Sequence, residues 1–496
     1  MTAEINPKPE QSIARRLARG FGWGALGTLG WRGMTAASTV AVARLLGPAG
    51  FGELAIVRST ATLFTTYAGF RLGLTINKFL PPLKGTNPAR AARILRMALT
   101  LSALLCGLAA AGLMLGARPI AEHILHNPGL TWALRIAALW LFFQAYSSVR
   151  ETVLIAAEDY PAFARVTLVK GLSAALFILP GAWLGGPTGA IAGLAIAAAL
   201  SFLVLDRAVR RTLGGLALNQ TGGFRAWKSE LPLLWTFALP SLLGGALAAS
   251  AFWYGRALLT GLEDGFAQLG HFEAANQWRT LILFLPAMLA RMAMPILAEA
   301  HSRTQSDDFR QASILQIRAI IVITLPLTVA TILGAQPLIA IFGSAYAGSA
   351  GLLPLLMISV FLFALNQGLR KVQEGSGKVW QALAMQGVWA AAFLLVLWRD
   401  PGQIGALTLA QAMAGAEAVK ALVQAAYVEL SLAPGTLMRL APDLALAAAA
   451  IGLAIAGEAV NTPLSQPLAA LLALIPAMAI LARVLRRHVL TPRAPA

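Results

Sequence analysis

Several arginines of this sequence lie inside long apolar segments, where a fixed positive charge is costly. Arg32 lies near the middle of one segment, Arg58 and Arg71 lie in the next, and Arg279 and Arg291 lie in a later one. An arginine at the centre of a membrane-spanning helix costs about 2.5–3.5 kcal/mol. A water-filled cavity, a carboxylate or an anionic ligand must therefore compensate for these side chains.

The chemistry that such arginines favour is the binding of a large anion. Guanidinium groups bind phosphate oxygens bidentately and stay charged at any physiological pH. Arg58 and Arg71 are separated by about 20 Å at 1.5 Å per helical residue, so cations would stand at several depths. Snorkelling to the headgroups is an alternative for Arg71 and Arg291. It is a poor one for Arg32, because a helix centre lies about 15 Å from either interface.

Further polar residues in these segments are weaker candidates for the same cationic site. They are Arg256, Arg150, Asn276, Gln277 and Trp278. Amides can bond to sugar hydroxyls, but bonds between helices explain them as well. A tryptophan can stack on a sugar ring, or belong to the aromatic belt at the membrane interface. The pattern predicts no metal site, no cofactor and no catalytic residue.

The elements that carry these residues are apolar segments long enough to span a bilayer. Of the 496 residues, 58% are hydrophobic and 12% are charged. A soluble domain carries about 25% charged residues, so this chain has too little polar surface for water. Segments of about 20 apolar residues predict about fourteen transmembrane helices in an all-α polytopic membrane protein. They lie at 22–44, 52–76, 97–116, 131–156, 164–184, 187–206, 232–258, 272–297, 317–342, 350–370, 379–398, 404–429, 441–460 and 467–485.

The basic residues predict the orientation of the chain. The net charge of +18 is distributed over short segments between apolar runs and forms no patch for nucleic acid. Alternate segments are rich in lysine and arginine, whereas the opposite ones offer Arg44, Arg118, Arg256 and Arg399. Because cytoplasmic loops carry the excess of positive charge, both termini are predicted to be cytoplasmic.

A weak internal repeat divides the chain into two halves. At an offset of about 220 residues, Glu53 matches Glu273 and Arg150 matches Arg370, which predicts a parallel duplication of six helices. The predicted parts are a basic N-terminal segment (1–20), an N-lobe (21–207), a cytoplasmic linker (208–231), a C-lobe (232–430), and helices 13 and 14 with a cytoplasmic tail (431–496).

Motifs for ATP hydrolysis, zinc proteolysis and acyl transfer are missing from the sequence. It contains no GxxxxGK[ST] loop, no HExxH and no nucleophile elbow. The chain is therefore predicted not to be an enzyme. A membrane-embedded glycosyltransferase or polymerase stays open as an alternative, although the short outer loops disfavour it.

One motif resembles a known family. The segment 43–53, ARLLGPAGFGE, resembles the ARLLGPxxFG signature of polysaccharide flippases, the O-antigen and oligosaccharide exporters of the multidrug/oligosaccharidyl-lipid/polysaccharide superfamily. Supporting matches are FALP at 237–240, FEAANQ at 272–277, and LP at 285–286 continuing to Pro295. The resemblance covers roughly residues 15–430.

The resemblance implies two six-helix lobes around a central cleft that opens alternately to each side. Members of the family carry an undecaprenyl-diphosphate-linked oligosaccharide across the bacterial inner membrane, so the arginines would receive its diphosphate or acidic sugars. Helices 13 and 14 resemble those of lipid II flippases, where they bear a groove for the lipid tail.

The expected partners are therefore the lipid-linked oligosaccharide, membrane lipids and polysaccharide assembly proteins. One alternative is a multidrug/cation antiporter of the same superfamily. An antiporter would need acidic residues in the cleft, for which Glu417 is a candidate.

Overall fold

The structure is a computed structural model that describes residues 13–68, 72–215, 230, 239–284, 286, 306–376, 379–399, 404–460 and a few positions between 475 and 482. Every regular element in these ranges is a helix, so the predicted all-helical fold is confirmed there. Among the residues that the structure describes, eight helices are long and apolar enough to cross a membrane. The total of fourteen helices and the lobe boundaries remain predictions.

Two compact units make up the chain. The first contains residues 1–46, 57–123 and 127–242, and the second contains residues 47–56, 124–126 and 243–496. A short segment, residues 47–56, therefore belongs to the second unit although the residues on both sides of it in the sequence belong to the first.

The first unit contains five α-helices in its described part, and the first of them breaks at Gly47 (φ 66°), where residues 47–56 pass to the second unit. The five helices are α1 (Ile13–Ala68), α2 (Leu72–Thr86), α3 (Pro88–Pro119), α4 (Thr131–Ala157) and α5 (Tyr160–Gly215). In α2, Leu72, Ile76 and Leu80 recur at every fourth residue, which places them on one helix face, and all three are buried against α3, α4 and α5. Burial of this apolar face fixes α2 in the bundle.

Helix α5 contains two of the predicted spans. A Cβ atom on Gly189 would lie 2.0 Å from the carbonyl oxygen of Gly181, so the two backbones touch. In a continuous helix these residues would be about 12 Å apart at 1.5 Å per residue. The chain reverses at Gly185 and Gly186, where Gly186 has a φ of 57°. The two halves therefore pack as an antiparallel hairpin.

The second unit contains eight helices in its described part. They are α6 (Leu239–Thr260), α7 (Gly265–Ile282), α8 (Ser306–Leu333), α9 (Ala335–Ala340), α10 (Leu353–Gly375), α11 (Val379–Leu397), α12 (Ala406–Tyr427) and α13 (Thr436–Val460). A 3₁₀ segment, Ser344–Leu352, precedes α10. Helix α10 packs against α8 and α12, and α13 packs against α8.

Two amide contacts fix the relation between α10 and α12. The Asn366 amide donates to the Glu417 carboxylate at 2.7 Å, and the Gln424 amide donates to Gln373 at 2.9 Å. The partners on each helix are seven residues apart in the same direction, so α10 and α12 run parallel. Since α11 connects them, the three helices form an up-down-up arrangement.

Candidate functional site

The predicted arginines are distributed over both units. Arg32, Arg58 and Arg150 lie in the first unit, while Arg256 and Arg279 lie in the second. Arg71 and Arg291 lie outside the described residues. Whether any of these residues binds a passenger stays a prediction, and the surroundings of each described one decide which remain good candidates.

Arg58 lines a cavity inside the first unit, with two cations and mostly apolar walls. The cavity has a volume of about 90 Å³. It is lined by Trp31, Thr35, Arg58, Trp140, Gln144, Lys170, Ala174, Leu194, Ala197, Ala198 and Ser201. We call it the first-unit cavity. A water molecule occupies about 30 Å³ in the liquid, so this space holds a few waters and no oligosaccharide.

Lys170 is the second cation of the first-unit cavity. Its ammonium lies 2.9 Å from the Glu151 carboxylate, and both side chains are less than one-fifth exposed. The same nitrogen lies 5.4 Å from the centre of the Trp31 ring, within the range of a cation–π contact. The carboxylate offsets the charge of Lys170 in this conformation.

Lys170 was not among the candidate residues predicted from the sequence. The residue lies ten positions into α5 and faces Glu151 of α4. A lysine and a glutamate on consecutive apolar segments are a signal for a buried pair, because each is costly alone. The signal was present in the sequence and would have added Lys170 to the candidate residues.

The guanidinium of Arg150 contacts one carboxylate and two aromatic rings. Its guanidinium forms an ion pair with Asp206 and lies 5.3 and 5.5 Å from the ring centres of Tyr146 and Phe202. The side chains of Arg150 and Asp206 are 11% and 19% exposed. A partly buried ion pair leaves little net charge for an anionic ligand, so the structure weakens the case for Arg150.

Arg256 is paired in the same way in the second unit. It lies 2.5 Å from Glu273 of α7, and the two side chains are 14% and 9% exposed. The Asn276 amide also donates to Glu273, at 3.3 Å. We call Arg256, Glu273 and Asn276 the Glu273 network. Because the Glu273 carboxylate offsets the charge of Arg256 and accepts from Asn276, Arg256 and Asn276 are better explained as structural residues than as ligands for a sugar.

Arg279 differs from Arg256, because no ion pair holds it within the part of the chain that the structure describes. Its guanidinium lies 5.5 Å from the centre of the Phe363 ring, and its Nε atom is buried without a hydrogen bond there. The carboxylates of Glu417 and Glu273 lie near enough to attract its charge, whereas the guanidinium of Arg256 repels it. Arg279 therefore remains the strongest candidate cation of the second unit.

Glu417 and Lys420 lie three residues apart on α12, but their main side-chain partners are amides of other helices. Their charges interact, but Glu417 accepts from Asn366, and Lys420 donates to the amide of Gln386. These amides were missed by the sequence prediction. Glu417, Lys420 and Gln424 follow one another at intervals of three and four residues, and that spacing marks one polar helix face.

The matches to known proteins agree with the predicted family. Residues 41–350, more than half of the chain, match the model of a family described as "Polysaccharide biosynthesis protein". The chain belongs to this family. The predicted membership of the polysaccharide flippases is thereby confirmed, and the segment 43–53 lies within the matched residues.

Two curated relatives of this polysaccharide biosynthesis protein have the same printed name, "EPS I polysaccharide export inner membrane protein EpsE". The protein of Ralstonia nicotianae is 28% identical over 315 residues, which are 62% of this chain and 70% of the relative. The protein of Ralstonia solanacearum is 27% identical over 375 residues, or 73% of this chain and 82% of the relative.

Solved structures share the fold of this family member. The lipid II flippase MurJ in an inward closed conformation matches with a TM-score of 0.69 and 11% identity, covering 94% of this chain and 99% of that one. An inward-facing multidrug resistance MATE family transporter of the MOP superfamily matches with a TM-score of 0.61 and 13% identity, covering 84% and 97%. At these identities the likeness shows the fold alone.

Proposed function

We propose that this protein translocates an undecaprenyl-diphosphate-linked oligosaccharide across the bacterial inner membrane by alternating access. The passenger would be a repeat unit of an O-antigen or exopolysaccharide. Family membership and the export proteins named among its relatives support the polysaccharide part of this proposal. The observation that carries it in the structure is the position of Arg58, beside Lys170, on a cavity inside apolar helices.

The first-unit cavity would help to compensate for the charge of Arg58, which is half-buried. Water in the cavity can solvate the guanidinium at a depth where lipid cannot, which lowers the cost of the charge. In a wider conformation the same group would meet the diphosphate of the passenger. Arg58 would bind it with two parallel hydrogen bonds, and Lys170 would add a cation once it separates from Glu151.

Arg279 would provide a second contact for negative charge, in the second unit. We keep Arg32, Arg71 and Arg291 in the proposal as predicted, together with Gln277 and Trp278. Membrane lipids would surround the lipid tail, and polysaccharide assembly proteins would receive the glycan. We propose that these residues bind the passenger during transport and catalyse no reaction. Both termini are proposed to be cytoplasmic.

Reconstitution of the purified chain into liposomes tests the proposal. A labelled undecaprenyl-diphosphate oligosaccharide is placed in one leaflet, and its appearance in the other is followed by lectin access. We expect Arg58→Gln to slow translocation about tenfold or more, because hydrogen bonds to charged groups contribute about 1.5–3 kcal/mol. Arg58→Lys should retain part of the rate, since it keeps the charge but loses the bidentate geometry.

Arg165→Gln is the matched control, because Arg165 is exposed on α5 and bonds only to the backbone oxygen of Pro161 among the described residues. This variant should translocate the lipid at the unaltered rate. An Arg58→Gln protein that flips the lipid normally would remove Arg58 from the site.

A multidrug/cation antiporter is the second candidate function. It is favoured by the likeness in fold to multidrug transporters and by the buried carboxylate of Glu417. The same liposomes distinguish the two functions. Accumulation of a cationic dye with no movement of the lipid-linked oligosaccharide would replace our proposal by the antiporter. Lengthening of the labelled glycan would instead indicate a polymerase or glycosyltransferase.

A further inference from the structure

The second unit contains a larger cavity that the proposed function does not use. Its volume is about 600 Å³, which falls within the range of pockets that bind small ligands. It lies where α11 has ended and α12 begins, beside α7 and the 3₁₀ segment. We call it the helix-end pocket. The basic-residue pattern predicts that this end of the unit, with Arg399, lies on the outer side of the membrane.

The side chains that line the helix-end pocket are rich in hydrogen-bonding groups. They include Gln268, His271, Arg399, Thr408 and Gln411. Carboxylates are absent from the described lining residues, so Arg399 is the one formal charge among them. An arginine with two amides and an imidazole matches a ligand that carries both hydroxyls and a negative charge.

Two of these side chains are held in place by their neighbours. The oxygen of the Gln268 amide accepts from the backbone N–H of Ala406 at 3.0 Å, so its NH₂ group is oriented by that bond. The Nδ1 atom of His271 lies 2.8 Å from the Ser349 hydroxyl, which leaves Nε2 for another partner. Fixed polar groups lose little conformational entropy on binding, so they suit a binding site better than mobile ones.

The absence of a side chain at Gly405 leaves room for the amide of Gln268. A Cβ atom on Gly405 would lie 2.7 Å from the Gln268 oxygen, so a larger residue would push the amide away. The same glycine precedes the 22-residue helix α12, and the positive end of its dipole therefore lies at the pocket. The dipole adds to the charge of Arg399.

We propose that the helix-end pocket binds an acidic sugar, such as a uronic acid, of the exported glycan. The carboxylate would pair with Arg399, and the hydroxyls would bond to Gln268, His271 and Gln411. The inference rests on the proposed function only in assigning the sugar to the transported oligosaccharide. A site on the outer side would hold the glycan after translocation and oppose its return.

Titration calorimetry of the full-length protein in a detergent without sugar groups tests the pocket directly. The probes are glucuronic acid, glucose and inorganic phosphate. We expect saturable binding of glucuronic acid, with glucose and phosphate each at least about tenfold weaker, because neither satisfies both the cation and the amides. Arg399→Gln should weaken the binding of glucuronic acid about tenfold or more and leave that of glucose unchanged.

Arg439→Gln serves as the control, since Arg439 is also exposed in the second unit but does not line the pocket. Gln411→Ala is a second pocket variant, and it should weaken the binding of both sugars. Phosphate that binds as tightly as glucuronic acid would make the pocket a general anion site and overturn the proposal. Equal affinity of Arg399→Gln and the unaltered protein for glucuronic acid would also overturn it.

The two proposals fail in different ways. Saturable binding of glucuronic acid without translocation of the lipid-linked oligosaccharide would overturn the proposed function and leave the pocket intact. Translocation without such binding would overturn the pocket alone.

Discussion

Gly52 touches the backbone of Phe266 so closely that no other residue fits there. A Cβ atom at position 52 would lie 1.8 Å from the carbonyl oxygen of Phe266, and one on Gly270 would lie 1.9 Å from that of Pro48. The two contacts join residues 48–52 to the first turns of α7 in antiparallel directions. The GPxxFG part of the signature is thus explained by backbone-to-backbone packing within the second unit.

Substitution of Gly52 by alanine is expected to destabilise the protein. Overpacking costs about 1–3 kcal/mol, and the upper end applies because a carbonyl oxygen cannot rotate away as a side chain can. Gly33→Ala is the control, since Gly33 lies in the helical segment before the break at Gly47 and a Cβ atom there meets nothing within 4 Å. It should stabilise by about 0.5–1 kcal/mol, the usual gain for alanine over glycine inside a helix.

The fraction of protein that stays monodisperse after heating in one detergent measures both effects. Opposite shifts are expected for Gly52→Ala and Gly33→Ala. If Gly52→Ala is as heat-resistant as the unaltered protein, the close contact with Phe266 does not exist in solution.

The pairing of Lys170 with Glu151 predicts strong coupling in a double-mutant cycle. Lys170→Met leaves a carboxylate in an apolar bundle, and Glu151→Leu leaves an ammonium, so each single variant should lose stability. The double variant should recover part of the loss, with an interaction energy of about 0.5–3 kcal/mol. Thermal denaturation of the four proteins provides the measurement. Losses that simply add would show that the two side chains do not interact.

The sequence allowed good prediction of segments whose pattern is local. The run at 131–156 corresponds to α4, Thr131–Ala157, because apolar composition and length alone define it. The runs at 164–184 and 187–206 correspond to the two halves of α5, which Gly185 and Gly186 separate. These elements follow from hydropathy and from glycine, and neither depends on distant residues.

Features that arise from distant contacts were beyond sequence reasoning. Nothing local shows that residues 47–56 belong to the second unit, since this depends on the packing of Gly52 against Phe266. The partners of Arg150 and Arg256 were equally hidden. Asp206 is 56 positions after Arg150, and several spacings would have been possible. Charged residues could be located by depth, but their pairing required three dimensions.

The Glu273 network predicts that Arg256 can be replaced without loss of transport, provided that Glu273 is replaced as well. A double variant, Arg256→Met with Glu273→Leu, removes both charges and keeps apolar volume, which is often neutral or stabilising for a buried pair. We expect its translocation rate to stay within about twofold of the unaltered protein, a factor that corresponds to about 0.4 kcal/mol. Arg279→Gln, in contrast, should slow translocation about tenfold or more.

The liposome assay with labelled lipid-linked oligosaccharide compares these variants. Loss of translocation in the double variant, at normal yield and heat resistance, would return Arg256 to the candidate site. Normal translocation by Arg279→Gln would remove the second unit's strongest candidate.

An ion pair between Arg318 of α8 and Asp443 holds α13 against α8, and we predict that its loss destabilises the protein. The Arg318 Nε atom donates to Asp443 at 2.7 Å, and a terminal nitrogen donates to the backbone oxygen of Arg439 at 3.1 Å. The two side chains are 7% and 1% exposed. Arg318→Met should destabilise by about 3–5 kcal/mol, because it leaves an uncompensated charge buried.

Arg118→Gln is the appropriate comparison for this prediction. Arg118 also pairs with a carboxylate at 2.7 Å, that of Glu122, but its side chain is 71% exposed. Exposed pairs contribute about 0–1 kcal/mol, so this variant should denature almost as the unaltered protein does. Limited proteolysis adds a local measurement, since a detached α13 exposes the segment between α12 and α13. Faster cleavage there in Arg318→Met, but not in Arg118→Gln, is expected, and equal cleavage would mean that α13 is held by its apolar face alone.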